Sequence, residues 1–127
     1  MRFDKIHHIA IIGSDYQASR QFYVDKLGFE VVRENYREKR GDWKIDLRVN
    51  EDTELELFIV KNPPERVTNP EASGLRHLAF KVDDVEETVE ELSRKGIKCE
   101  PVRTDEFTGK RMTFFRDPDD LPLEIHE

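Results

Sequence analysis

Residues 5–13 read KIHHIAIIG, and residues 75–82 read LRHLAFKV. Both are short runs of apolar and β-branched residues bounded by turn formers, Gly13 in one case and Asp83-Asp84 in the other, so both read as strands. What decides the fold is their match in phase, His8-Ile9-Ala10-Ile11 against His77-Leu78-Ala79-Phe80. The match continues downstream. Asp15 lies seven residues after His8, and Asp84 seven after His77; Gly28 follows His8 by 20 residues, and Gly96 follows His77 by 19. Leu55-Glu56-Leu57 and Leu123-Glu124-Ile125 stand near the ends of the two halves, with His-to-Glu separations of 48 and 47 residues. Packing demands apolar residues at repeated positions, but not a His and a Glu at the same phase. The chain is therefore read as an internal duplication.

Each copy reads β-α-β-β-β. In the first, Ser14 or Asp15 caps a helix with Ala18, Phe22 and Leu27 on its apolar stripe and Gly28 at its end. Strands are expected at 29–37, 43–49 and 54–60, the last two joined by the polar turn Asn50-Glu51-Asp52-Thr53. In the second, Asp83 or Asp84 caps a helix with Val85, Val89 and Leu92 at i, i+4 and i+7, ending at Gly96. Strands are expected near 97–102, 111–116 and 121–126, with Asp117-Pro118-Asp119-Asp120 turning between the last two. Between the copies lies KNPPERVTNPEASG, residues 61–74, with three prolines. The expectation is an α+β domain over 1–127, made of module 1 (1–62), a linker (61–74) and module 2 (75–127).

Composition narrows the function. A chain of 127 residues can bury about two thirds of its unfolded surface, enough for a core without staples. Its 21 Lys and Arg against 28 Asp and Glu give a net charge of −7, which disfavours a phosphate backbone as partner. The single cysteine, Cys99, excludes an internal disulfide and thiolate zinc fingers. The longest apolar run, Ile9 to Ile12, is far short of the ~20 residues that span a bilayer. The opening Met-Arg-Phe-Asp-Lys-Ile-His-His has no apolar signal region, and the expected location is cytoplasmic.

The four repeated polar residues carry the chemistry. On a strand His8 shares a face with Ala10 and Ile12, and His77 with Ala79 and Lys81. Glu56 and Glu124 sit within apolar runs, where a carboxylate is costly to bury unpaired. Two imidazoles and two carboxylates converging by pseudo-symmetry make an N2O2 site for Zn, Ni, Co, Mn or Fe. His7 is expected on the opposite face from His8, and His126 at the surface.

His-x-Ala-Ile, then Asp15, Ser19, Phe22-Tyr23 and Leu27-Gly28-Phe29, is similar to the opening of the glyoxalase I/vicinal oxygen chelate superfamily, which also contains bleomycin-resistance proteins and dioxygenases. Asp117-Pro118-Asp119 followed by Leu121-Pro122-Leu123-Glu124 resembles its closing hairpin. The resemblance implies tandem βαβββ modules curling as a mixed sheet into a cup around one divalent metal, Ni, Zn, Co or Mn. Carried over by position, His8, Glu56, His77 and Glu124 match the ligands of metal-dependent glyoxalase I, a lactoylglutathione lyase. In that lyase a metal-stabilised enediolate forms from the hemithioacetal of a 2-oxoaldehyde. Glu124 is then the leading catalytic base, with Glu56 its pseudo-symmetric counterpart. Ile12 and Val60 stand where bacterial glyoxalase I typically has an Arg and an Asn that help hold glutathione, which points away from glutathione itself. Asp120 stands where the family often has Gly.

Arg37, Arg40 and Lys44 are candidates to grip an anionic substrate, and Tyr36 or Trp43 to stack on it. Arg76, Arg111 and Phe114 are the second module's candidates. The family implies a homodimer acting on a small molecule, with no nucleic-acid or membrane partner. Alternatives within it are a thioester epimerase, which usually has Gln at the Glu56 position, and a thiol transferase or ring-cleaving dioxygenase, which need only His/His/Glu. A metal-free, bleomycin-resistance-like drug binder is the reading from another class; a charge of −7 would attract a cationic ligand to it.

Overall fold

A computed structural model describes all of residues 1–127, and the chain divides into two compact units, Met1–Pro64 and Glu65–Glu127. In the first unit, β1 (His8–Gly13) leads through α1 (Tyr16–Arg20) and a π-helical segment (Gln21–Lys26) to β2 (Glu30–Arg37), β3 (Asp42–Arg48) and β4 (Glu54–Ile59). The sheet order is β1-β4-β3-β2, with β1 parallel to β4 and the other neighbours antiparallel. Parallel pairing of β1 and β4 requires a crossover, which the helix and the β2–β3 hairpin supply.

Alternation sorts this sheet into two faces. Ile45, Leu47, Leu55, Leu57 and Ile59 are buried on one of them. The register Lys44↔Phe58, Asp46↔Glu56 and Ala10↔Glu56 sets the polar residues on the other. Tyr16 of α1 meets Trp43 of β3 with ring centroids 4.8 Å apart, and Trp43 pairs with Ile59, so the helix covers the apolar face. Asp15 caps α1 by accepting from the Ala18 N–H at 2.7 Å.

The helix was expected to run straight to Gly28. Instead it widens after Arg20, and the Leu27 N–H reaches back five residues to the Phe22 carbonyl. Phe22 and Tyr23 are consecutive and both buried, and the wider turn brings both rings to the covered side.

The second unit repeats the plan with β5 (Leu78–Lys81), α2 (Val85–Arg94), β6 (Arg103–Thr104), β7 (Arg111–Arg116) and β8 (Pro122–His126) in the order β5-β8-β7-β6. Again the outer pair β5 and β8 is parallel. Val85 and Leu92 are the buried stripe of α2, and Asp84 caps it by accepting from the Glu87 N–H at 2.9 Å.

The expected strand at 97–102 does not form; the ladder holds only Arg103 and Thr104. Pro101 has no N–H to give, and the segment is tethered by isolated bonds, Glu100 N–H to the Phe114 carbonyl and Thr113 Oγ1 to the Glu100 carbonyl. Asp120 takes a φ of 67°, the left-handed region that favours Gly and tolerates Asp, in the turn between β7 and β8. The fold class is thus α+β, tandem βαβββ units each with a four-stranded mixed sheet.

Candidate metal centre

In the first unit the Nε2 of His8 lies 3.5 Å from Oε1 of Glu56, on the polar face. The other oxygen of Glu56 is 3.5 Å from the Lys44 ammonium, which in turn is 2.9 Å from Asp46. Arg33 Nε donates to the second Asp46 oxygen at 2.6 Å. Burial pushes the Asp46 carboxyl up, but bonds from Lys44 and Arg33 outweigh it and hold the group below the usual carboxylate range. Asp46, with a smaller contribution from Glu56, raises Lys44 against the opposing effect of burial. Behind the ring, Nδ1 of His8 is 2.9 Å from Nδ1 of His7. His7 was expected to point away by strand alternation, but β1 begins only at His8, so alternation does not govern it.

The second unit forms the matching pair in a different setting. His77 Nε2 lies 2.9 Å from Oε2 of Glu124, whose side chain is 9% exposed. Opposite Glu124 on β7 stands Phe114, where the first unit has Asp46. The Phe114 ring meets His77 edge-on at 5.1 Å, and the Arg103 guanidinium lies over its face at 5.4 Å. Arg76 Nη1 is 3.0 Å from Nδ1 of His77. One pair is embedded in fixed charges, the other against an aromatic ring.

Both pairs suit a divalent ion in donor type and spacing. An ion bound at about 2.0–2.2 Å spans donors about 3.0–3.5 Å apart at octahedral or tetrahedral angles. The observed His–Glu separations are 2.9 and 3.5 Å. Imidazole with carboxylate is a borderline donor set fitted to Zn, Ni, Co or Mn. No group of three or more His, Cys, Asp or Glu side chains is disposed to hold a metal, so the donors come as pairs.

Arg37 is on the face of Glu56, but its guanidinium forks onto Asp42 at 2.7 Å through both Nε and Nη2 and stacks over Phe58 at 4.8 Å. Trp43 lies on the opposite, apolar face between Tyr16 and Tyr36, so it does not join the His8–Glu56 pair. Arg111 pairs with Glu86 of α2 at 2.7 Å, and its position in β7 alternates to the face opposite Phe114. Arg76 and Phe114 do join a pair, that of His77. His126 is half-buried rather than a surface residue; its Nδ1–H donates to the Glu127 carbonyl at 2.7 Å, and Asp105 lies 3.6 Å from Nε2. The carbonyl, with the Asp105 and Glu124 carboxylates, raises its pKa against partial burial.

Asp46 escaped the sequence reading. Its signal was a carboxylate in the middle of the apolar run Trp43–Leu47, at the same strand phase as Lys44.

Two βαβββ units, each with a His and a Glu brought together across its parallel strand pair, define a class of duplicated α+β protein. Residues 5–125 match the family model described as the Glyoxalase/Bleomycin resistance protein/Dioxygenase superfamily, and the chain belongs to it. YwkD of Bacillus subtilis (strain 168) is 59% identical over 127 residues, covering all of this chain and 99% of that protein. The crystal structure of a glyoxalase family protein from Enterococcus faecalis is 57% identical with a TM-score of 0.95, covering both chains completely. TnmS3, an antibiotic binding protein from Streptomyces sp. CB03234, is 25% identical with a TM-score of 0.74, covering 98% of this chain and 96% of that one.

Proposed function

We propose that this chain is a metal-dependent lyase or isomerase of the glyoxalase kind. It acts on a small substrate with adjacent oxygens, such as the hemithioacetal of a 2-oxoaldehyde. The observation that carries this reading is the duplicated His–Glu pair, His8 with Glu56 and His77 with Glu124, at metal-donor spacing. Packing gives no reason to keep both residue types at both positions. When bound, the divalent ion supplies Lewis-acid polarisation of a carbonyl and favours negative charge on neighbouring oxygens.

The chain's own residues do the rest. Lys44 lies 3.5 Å from Glu56 and fixes its position, which fits Glu56 to a fixed donor role. Glu124 faces Phe114 on β7, and Met112 stands at the register position that Lys44 holds in the first unit. Glu124 is therefore the group to take the acidified C–H proton and return it to the adjacent carbon. Ile12 is 59% exposed and offers no charge-assisted bond, so a thiol other than glutathione is favoured as the adduct. In this reading the protein is a cytoplasmic homodimer whose ligands are small molecules.

The test is isomerisation of hemithioacetals made from methylglyoxal and a panel of thiols, with the protein loaded in turn with Ni, Co, Zn and Mn. Turnover should fall by about a hundredfold or more in Glu124→Gln, the size expected for loss of a general base. No turnover with any metal and thiol would defeat the lyase reading. The likeness to TnmS3 and the charge of −7 favour one second reading, a metal-free binder of a cationic drug. Calorimetric binding of such a drug by metal-free protein would then replace it.

A further inference from the structure

The two candidate ligand histidines differ in what stands behind them, and the difference is chemical. In each unit the preceding residue contacts Nδ1: His7 contacts His8 at 2.9 Å, and Arg76 contacts His77 at 3.0 Å. A neutral imidazole carries one N–H and one lone pair, and its tautomer is set by what the second nitrogen meets. His7 can donate or accept, so it permits His8 to carry its proton on Nδ1 and leave Nε2 open. A guanidinium has only donors. With Arg76 in place, a neutral His77 must accept at Nδ1 and carry its proton on Nε2, which lies 2.9 Å from Oε2 of Glu124. Nδ1–H with an open Nε2 is the form that would ligate a metal through the nitrogen facing Glu124, and the Arg76 contact forbids it. Arg66 fixes the root of this arrangement by donating to the carbonyls of Leu75 and Arg76 at 3.0 and 2.7 Å.

We propose that Arg76 is a latch: a positioning residue that locks His77 in the tautomer closed to metal and must leave Nδ1 before the second pair can load. The inference rests on the metal reading above and deepens it. It makes the two halves of a duplicated chain unequal, with the first pair open to a cation as folded and the second conditional on an arginine.

The experiment uses the full chain, freed of metal, at about pH 8, where imidazole is neutral. Long-range ¹⁵N–¹H spectra report the tautomer of His77, assigned by the loss of its signals in His77→Asn. The wild type should show Nε2–H. Arg76→Gln, whose amide oxygen can accept from Nδ1–H, should move the ring towards Nδ1–H. Zinc titration should then give affinities in the order Arg76→Gln, Arg76→Ala, wild type, with about tenfold between the ends, the lower bound typical when a group bonded to a ligand's far nitrogen is changed. The order of Gln over Ala separates the tautomer from the lost charge, because both variants remove the same charge. Lys81→Gln removes a cation of β5 whose partner is Asp83 and should leave affinity within about twofold. Arg76 is exposed, so folding should be unchanged by circular dichroism. An Nδ1–H wild type, or equal zinc affinity in wild type and Arg76→Gln, overturns the latch. Failure of both proteins to bind zinc while His77 shows the expected tautomer defeats the metal reading, and the loading role with it.

Discussion

Asp46 sits in the middle of β3 with its side chain 3% exposed, where an unpaired carboxylate would cost several kcal/mol. Lys44 and Arg33 both reach it, and Lys44 reaches on to Glu56, so one buried charge sets the position of the cation that faces the first candidate ligand pair. Asp46→Asn should destabilise the protein by about 2–3 kcal/mol in urea denaturation, below the fully buried case because Arg33 is 59% exposed and keeps its hydration. A loss under about half a kcal/mol would show that solvent, not Asp46, satisfies Lys44.

The Asp42–Arg37 fork makes a second prediction about acid. The Arg37 guanidinium holds the Asp42 carboxyl below its ordinary range, against the effect of burial. A depressed folded value means the fork's contribution is complete above the unfolded carboxylate value, ~3.9, and is lost as pH falls through the folded one. Asp42→Asn should therefore be less stable than wild type at neutral pH, and the gap in denaturation midpoints should close in acid. A gap constant across pH would remove the charge from the explanation.

The caps of both helices and the buried Val85 and Leu92 of α2 were legible because they depend on local chemistry. Asp15 and Asp84 stand one residue before their helices and accept N–H bonds from Ala18 and Glu87. Asp84→Ala should cost about 1 kcal/mol, checked by chemical denaturation, and an unchanged midpoint would mean that the Glu87 N–H finds water instead.

What was not legible depends on neighbours distant in sequence. The apolar spacing through Leu27 fits an α-helix, yet burial of both Phe22 and Tyr23 opens a π turn within it. The run 97–102 has strand-like residues, but Pro101 cannot enter a ladder, and only Arg103–Thr104 pair. Trp43 looked like a stacking platform; strand alternation turns it to the helix-covered side.

At the scale of the whole molecule, duplication is the governing fact. The His-to-Glu spacing of 48 and 47 residues was visible without coordinates, and each His meets its Glu because the first and last strands of each unit pair in parallel. The inequality of the two pairs was not visible. It arises from single side chains that the repeat does not preserve, His7 against Arg76 and Asp46 against Phe114. No helix is long and apolar enough to cross a membrane, and within the units Arg37 pairs with Asp42, Arg33 and Lys44 with Asp46, and Arg111 with Glu86.

In the reading proposed above, the His–Glu pair of each unit holds a divalent ion. Metal content per chain, by mass spectrometry on untagged protein purified without chelator, tests it most directly. Bound divalent ion should be present in the wild type and should fall in both His8→Ala and Glu124→Ala, because each removes one donor of a pair. Protein that carries no metal, and takes up none of Ni, Co, Zn or Mn, would contradict it.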